Sequence, residues 1–113
     1  MFQKKSSAGY HPVIDKVEMK TLVHGEKTLM SEFHLQKGAL LPRHSHTHEQ
    51  TGYLLTGQLE FMINNEKFTA GPGDSWCIHG NSEHQVIALE DSVVLEVFSP
   101  VREDYLFVHA DNN

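Results

Sequence analysis

No stretch of about 11 residues or more keeps a helical period in this chain, while short alternating runs recur between glycine, proline and asparagine signals. That combination constrains the fold more than any other feature. Residues 28–36 set Leu29, Ser31, Phe33 and Leu35 on one face against Met30, Glu32, His34 and Gln36, the period of a half-buried strand. Residues 50–56 and 58–63 read as strands around Gly57, whereas 13–23 is only weakly periodic. Asn64 and Asn65 signal a two-residue hairpin, because asparagine tolerates positive φ, and 66–70 is its return strand. Gly71-Pro72-Gly73-Asp74 is a tight turn feeding 75–78. Residues 84–89 and 92–99 are expected to pair around Glu90 and Asp91, and 103–108 reads as a final strand or an edge segment. Many short strands with regular turns imply an all-β chain, a small antiparallel β-barrel of six to eight strands that closes its own edges. Residues 1–12 look like an N-terminal arm ending at Pro12, ahead of one barrel domain over 13–113.

Size and charge narrow the function classes. A chain of 113 residues holds one core, not two. Its formal net charge is -6, with no basic cluster beyond Lys4 and Lys5, so a nucleic-acid partner is not expected. No apolar run approaches the roughly 18 residues of a membrane helix. Cys77 is the single cysteine, which excludes an internal disulfide, and the first ten residues lack the apolar run of a signal peptide. A cytoplasmic protein is therefore expected. An anionic small molecule stays compatible, since a local arginine or metal outweighs the overall field.

The chemistry is concentrated between Gly38 and Gly57. His44, His46 and His48 alternate, and Gln50 follows two positions later. On an extended strand His44 and His46 present their imidazoles side by side, a spacing that suits a transition metal if further ligands come from elsewhere. Glu49 is the nearest acid, but regular alternation turns it away; a local bulge would make it the rival ligand. His48 shares the parity of His44 and His46, yet the expected turn moves it to the pocket rim. His11, His24, His34 and His109 have no motif support and read as structural or exposed, and His79 as a residue of the pocket mouth.

Gly38, His44-Ser45-His46, Gln50 and Gly57 resemble the first motif of the cupin family, with glutamine where most members carry a carboxylate. Gly73 and His84 fall in register with its second motif, although His79, Asn81 and Ala88 replace that motif's proline, glycine and asparagine. The resemblance implies the cupin jelly roll, or double-stranded β-helix, and one divalent transition metal (nickel, zinc, manganese or iron) held by His44, His46, Gln50 and His84. A neutral amide in place of a carboxylate leaves the metal its full charge, favouring Lewis-acid chemistry and an anionic substrate. A homodimer formed through the arm is also implied.

The C-terminal run Glu96-Val97-Phe98-Ser99-Pro100-Val101-Arg102-Glu103-Asp104-Tyr105, taken with the histidine run, is similar to the pectin-degradation cupins of KdgF type. These linearise 4,5-unsaturated uronates, so a small anionic sugar is the implied substrate. Their site aspartate, phenylalanine and arginine fall on Glu96, Phe98 and Arg102, the acid being one methylene longer here. The resemblance thus implies catalytic roles for Glu96 and Arg102, and substrate contacts from Phe98, Arg102, His48 and Trp76. Core packing is the competing use of Trp76, as it is of Phe33 and Ile78. Two other readings stay open: a non-haem dioxygenase acting on an enediol or flavonol, and a non-catalytic metal or sugar-binding cupin.

Overall fold

A computed structural model describes residues 1–106. Ten strands run in chain order: β1 His11–Ile14, β2 Val17–His24, β3 Leu29–Leu35, β4 Leu40–His44, β5 Glu49–Thr56, β6 Leu59–Ile63, β7 Glu66–Ala70, β8 Ser75–Ile78, β9 His84–Ala88 and β10 Ser92–Ser99. They form a six-stranded sheet of order β1-β2-β3-β10-β5-β8 and a four-stranded sheet of order β4-β9-β6-β7, paired antiparallel throughout. This is the expected all-β jelly roll, with more strands than the six to eight anticipated. The weakly periodic stretch before residue 24 supplies β1 and β2. The segment around Pro42 supplies β4, an edge strand, where a missing N–H costs no ladder bond.

Alternation sets which rows face inward. β10 buries Ser92, Val94, Glu96 and Phe98, and in β3 the row Leu35, Phe33, Ser31 and Leu29 lies opposite them and is also buried. Leu54, Leu59, Phe61 and Val86 complete the core from the other strands.

One expectation is corrected. Residues 84–89 and 92–99 do not pair with each other: β9 lies between β4 and β6, whereas β10 lies between β3 and β5. Both strands bury alternate side chains in one core, which places them on opposite walls of it. Glu90 and Asp91 therefore form a corner that changes sheets, held where the Ser92 hydroxyl donates to the Glu90 carbonyl (2.8 Å). A second correction concerns the run at 103–108. Residues Glu103–Tyr105 form a 3-10 turn, tied down by the Thr21 hydroxyl donating to the Tyr105 carbonyl (2.6 Å). The end of that run and His109 lie outside the described residues. The Asn64–Asn65 turn is as expected, with φ of 47° and 72°. At the N-terminus, buried Lys20 donates to the carbonyls of Ser6 and Ala8 at 2.6 and 3.1 Å. No helix among the described residues is long and apolar enough to cross a membrane.

Gly57 makes another sheet-changing corner, between β5 and β6. Its φ is +99°, and a Cβ there would lie 2.1 Å from the Ser92 hydroxyl oxygen and 2.5 Å from the Asp91 carbonyl oxygen. Gly57→Ala is expected to lower stability by at least about 1–3 kcal/mol, combining backbone strain with overpacking. Gly25→Ala, where nothing lies within 4 Å of the new Cβ, should stay within about 0.5 kcal/mol of the parent. Urea unfolding of the two variants checks the difference, and equal midpoints would contradict it.

Candidate metal centre and pocket

His44 ends β4 and His84 opens β9, and the two are direct cross-strand partners. Their ring centroids are 4.2 Å apart, and the His46 ring lies 5.7 Å from His44 and 5.0 Å from His84. One ring nitrogen from each of the three lies within 4.8 Å of the others.

Their backbone partners decide which nitrogen is free. His44 Nδ1 meets the Pro42 carbonyl at 2.7 Å, His46 Nδ1 the His48 carbonyl at 3.0 Å, and His84 Nδ1 the Ser82 carbonyl at 2.9 Å. A carbonyl only accepts, so each Nδ1 carries the proton and each Nε2 keeps its lone pair. Donation from the second ring nitrogen to a backbone carbonyl is the usual support of a ligating histidine. His46 Nε2 is buried without a hydrogen-bond partner, and the Gln50 amide lies alongside without closing one. An orphaned buried lone pair beside two similar ones fits a metal ion. Burial lowers the pKa of His46, with the Arg102 charge adding to it. Burial also pushes His84 down to about 4, against the opposing Ser82 hydrogen bond. Burial thus favours the neutral form of both rings, the form a ligand needs.

Gln50 is buried and donates through Nε2 to Glu96 Oε2 at 3.0 Å. The amide nitrogen being committed to Glu96, its oxygen is the end left for the histidine cluster. Glu96 is itself buried in the inward row of β10, and the Trp76 indole N–H donates to its other oxygen at 3.3 Å. Burial pushes Glu96 up to about 8, and the two donated hydrogen bonds hold it back from going further.

The path from Trp76 to Glu96 needs a gap. Glu96, Gly52 and Trp76 occupy one cross-strand row over β10, β5 and β8. The indole lies across the middle residue: a Cβ on Gly52 would sit 2.2 Å from Trp76 Nε1. No motif announced this role for Gly52. The only available signal was a glycine interrupting a strand, which marks close approach of another group. Trp76 packs on Phe61, with centroids 4.5 Å apart, and does not line the cavity. Trp76, expected as a substrate contact, here supports Glu96 through its indole N–H.

Phe98 is buried, with its ring 5.9 Å from His46 and 5.4 Å from Tyr105. The Arg102 guanidinium carbon stands 5.0 Å from the Phe98 centroid and 4.0 Å from that of Tyr105. Asp104, unremarked in the sequence, takes the Nε and Nη2 edge of Arg102 at 3.1 and 2.6 Å. Burial alone would raise the Asp104 carboxyl, but the paired guanidinium outweighs it and holds the group below its ordinary value. His44, Gln50, His84, Glu96, Phe98, Arg102 and Tyr105 line one cavity, closed behind by Phe33, Leu59, Phe61 and Val94. His48 lies at the edge of the cluster, its ring 5.8 Å from His46. Glu49 turns outward to His79, with 3.6 Å between Oε2 and Nδ1. His11 and His34 sit away from this cavity, His34 beside Glu32 at 3.1 Å.

Trp76 is the single tryptophan, so its fluorescence reports on this row alone. Gly52→Ala should displace the indole, shift its emission, and cost about 1–3 kcal/mol. An unchanged emission maximum in a folded variant would contradict the packing described.

The sequence matches the cupin domain model over residues 31–99. It is 34% identical, over 94 residues, to the pectin degradation protein KdgF of Dickeya dadantii, covering 81% of this chain and 86% of that protein. The fold is similar to that of KdgF from Halomonas sp., with a TM-score of 0.89 and 30% identity, covering 94% of this chain and 98% of the other. An RmlC-like cupin from Shewanella frigidimarina shares the fold at a TM-score of 0.82 and 21% identity, over 86% and 87% of the two chains. A conserved architecture thus surrounds the three imidazoles, and the chain belongs to the cupin family.

Proposed function

We propose that this cupin acts on a 4,5-unsaturated uronate from pectin or alginate breakdown and converts it to the open-chain keto acid. The carrying observation is that Arg102, Glu96, His44 and His84 line one cavity, with His46 clustered beside the two histidines; the likeness to the two KdgF proteins supports the reading.

His44, His46 and His84 through Nε2, with Gln50 through Oε1, are the residues that would hold a divalent metal. Once bound, the metal supplies Lewis-acid polarisation of substrate oxygens. Arg102 binds the carboxylate. Asp104 uses the Nε–Nη2 edge of the guanidinium, which leaves the Nη1 donors and one Nη2 hydrogen for a second, bidentate acceptor. Asp104 thereby orients the fork, and Phe98 with Tyr105 fixes its plane and excludes water beneath it.

The reaction is an isomerisation and needs only proton traffic. The anomeric hydroxyl loses its proton, the bond from the anomeric carbon to the ring oxygen breaks, and an aldehyde and an enol result. The enol then takes a proton on carbon and becomes the ketone. Glu96, whose carboxyl is pushed up to about 8 by burial, is suited to give and take such protons. Its extra methylene relative to aspartate places the carboxyl where both Gln50 and Trp76 reach it.

The direct test follows the ultraviolet absorbance of the unsaturated uronate with metal-loaded protein. Accelerated decay is expected, and decay at the spontaneous rate would refute the substrate assignment. Arg102→Gln should raise KM by about 10- to 100-fold, the worth of a charge-assisted pair. An unchanged KM would remove Arg102 from the substrate contact.

Glu96 also makes a stability prediction for metal-free protein. Its folded pKa of about 8 lies above the ordinary value of 4.5, so the folded state binds more protons than the unfolded state between those limits. Stability should therefore fall as pH rises through this window. Glu96→Gln should flatten that slope, measured as thermal midpoints at successive pH values. Parallel curves for the two proteins would contradict the raised pKa.

A further inference from the structure

A second group of metal-ligating side chains lies on the opposite face of the β5–β8 ladder. Gln50 pairs with Ile78 and Thr51 with Cys77, and one further step along the ladder brings Glu49 towards His79. Alternation sends Gln50 and Ile78 into the core, and Glu49, Cys77 and His79 outward, where all three are exposed. One ligand atom from each lies within 4.8 Å of the other two, and His79 Nδ1 stands 3.6 Å from Glu49 Oε2. We propose that Glu49, Cys77 and His79 form a second transition-metal site, suited to a zinc-class cation.

The donor set is one sulfur, one nitrogen and one oxygen, with solvent available for a fourth position. That is the composition of an open, tetrahedral zinc site. Metal–ligand bonds of about 2.0–2.3 Å put neighbouring donors roughly 3.3–3.8 Å apart. His79 and Glu49 already stand at such a distance, and the remaining separations need to close by at most about an ångström, a rotamer adjustment for exposed side chains. The backbone beneath them is already fixed. The Ser82 amide donates to the His79 carbonyl at 3.1 Å, and the Asn81 amide donates to the His46 carbonyl at 2.7 Å. A Cβ on Gly80 would lie 2.5 Å from the Thr47 carbonyl oxygen, so this connection is seated directly on the loop that carries His46. β8 is the edge of its sheet, and no further strand pairs beyond it among the described residues.

An ion pair between His79 and Glu49 alone would not account for the cysteine. Free cysteine is among the most buried residue types, yet Cys77 is exposed within reach of both other ligands. On binding, the thiol releases its proton to water, and thiolate plus carboxylate neutralise the ion. The inner cluster offers only neutral donors. The two sites should therefore differ in preference, the outer one selecting softer, zinc-like ions.

Because Cys77 is the single cysteine, a sulfur-to-cobalt charge-transfer band can arise only from this site. Titration of the full chain with cobalt(II) should develop that near-ultraviolet band and saturate at one equivalent for the outer site. Cys77→Ser should abolish the band, and His79→Ala and Glu49→Gln should each weaken the site at least about tenfold. His46→Ala should leave the band intact, which separates this site from the inner one. Absence of the band would overturn the proposal. So would a band indifferent to His79→Ala and Glu49→Gln, the mark of a lone thiol. A band saturating at half an equivalent, with doubled size on gel filtration, would instead mean an ion bridging two chains and would also overturn it.

Discussion

A carboxyl group buried inside a sheet must be hydrogen-bonded or neutral, and much of this site follows from how Glu96 meets that demand. It lies in the inward row of β10, one of the two central strands of the six-stranded sheet. One oxygen accepts from the Gln50 amide and the other from the Trp76 indole. The first bond turns the amide so that its oxygen faces the imidazoles. The second requires a neighbour without a side chain, which is why glycine occupies position 52 between Glu96 and Trp76. A single buried acid thus links the orientation of a candidate ligand to the packing of an aromatic ring two strands away.

The sheets explain why the candidate ligands converge. His44 and His84 belong to the four-stranded sheet, whereas Gln50 and Glu96 belong to the six-stranded one. The candidate centre spans the gap between two walls, at the end where the β4–β5 and β8–β9 connections meet. Those connections are bonded to each other through the Asn81 amide and the His46 carbonyl. Each of the three rings is further held by its own chain, through a carbonyl two residues away. Local hydrogen bonds therefore set the tautomer, and long-range packing sets the distance. The rim is organised differently: the Glu103–Tyr105 turn brings Asp104 and Tyr105 back onto Arg102, so a cation on an irregular segment gains a defined plane.

Local parity made part of this legible in the sequence. The alternation of residues 28–36 gave the inward row of β3, whereas 92–99 is apolar on both faces and its inward row of Ser92, Val94, Glu96 and Phe98 was not legible. The spacing of His44 and His46 gave two neighbouring imidazoles, although His46 lies in the loop after β4 and not on the strand. His84 emerged only through its register after Gly73, because nothing local separates a ligand from a core histidine. Sheet partnership was not legible. Residues 84–89 and 92–99 are neighbours in sequence, yet burying both inward rows demands opposite walls. The same limit hid the roles of Gly52 and Trp76, since cross-strand rows join residues far apart in the chain. Asp104 escaped notice because an exposed acid beside an arginine is ordinary surface pairing until the fold shows what the arginine faces.

The central claim is that three imidazoles through Nε2 and the Gln50 amide oxygen make one metal centre. X-ray absorption at the metal edge tests it most directly, using Cys77→Ser protein loaded with one equivalent of nickel so that only the inner cluster is read. The expected spectrum shows three imidazole ligands with oxygen completing the shell, and loses imidazole scattering in the added His46→Ala variant. A spectrum with fewer than three imidazoles, or one unchanged by His46→Ala, would contradict the account.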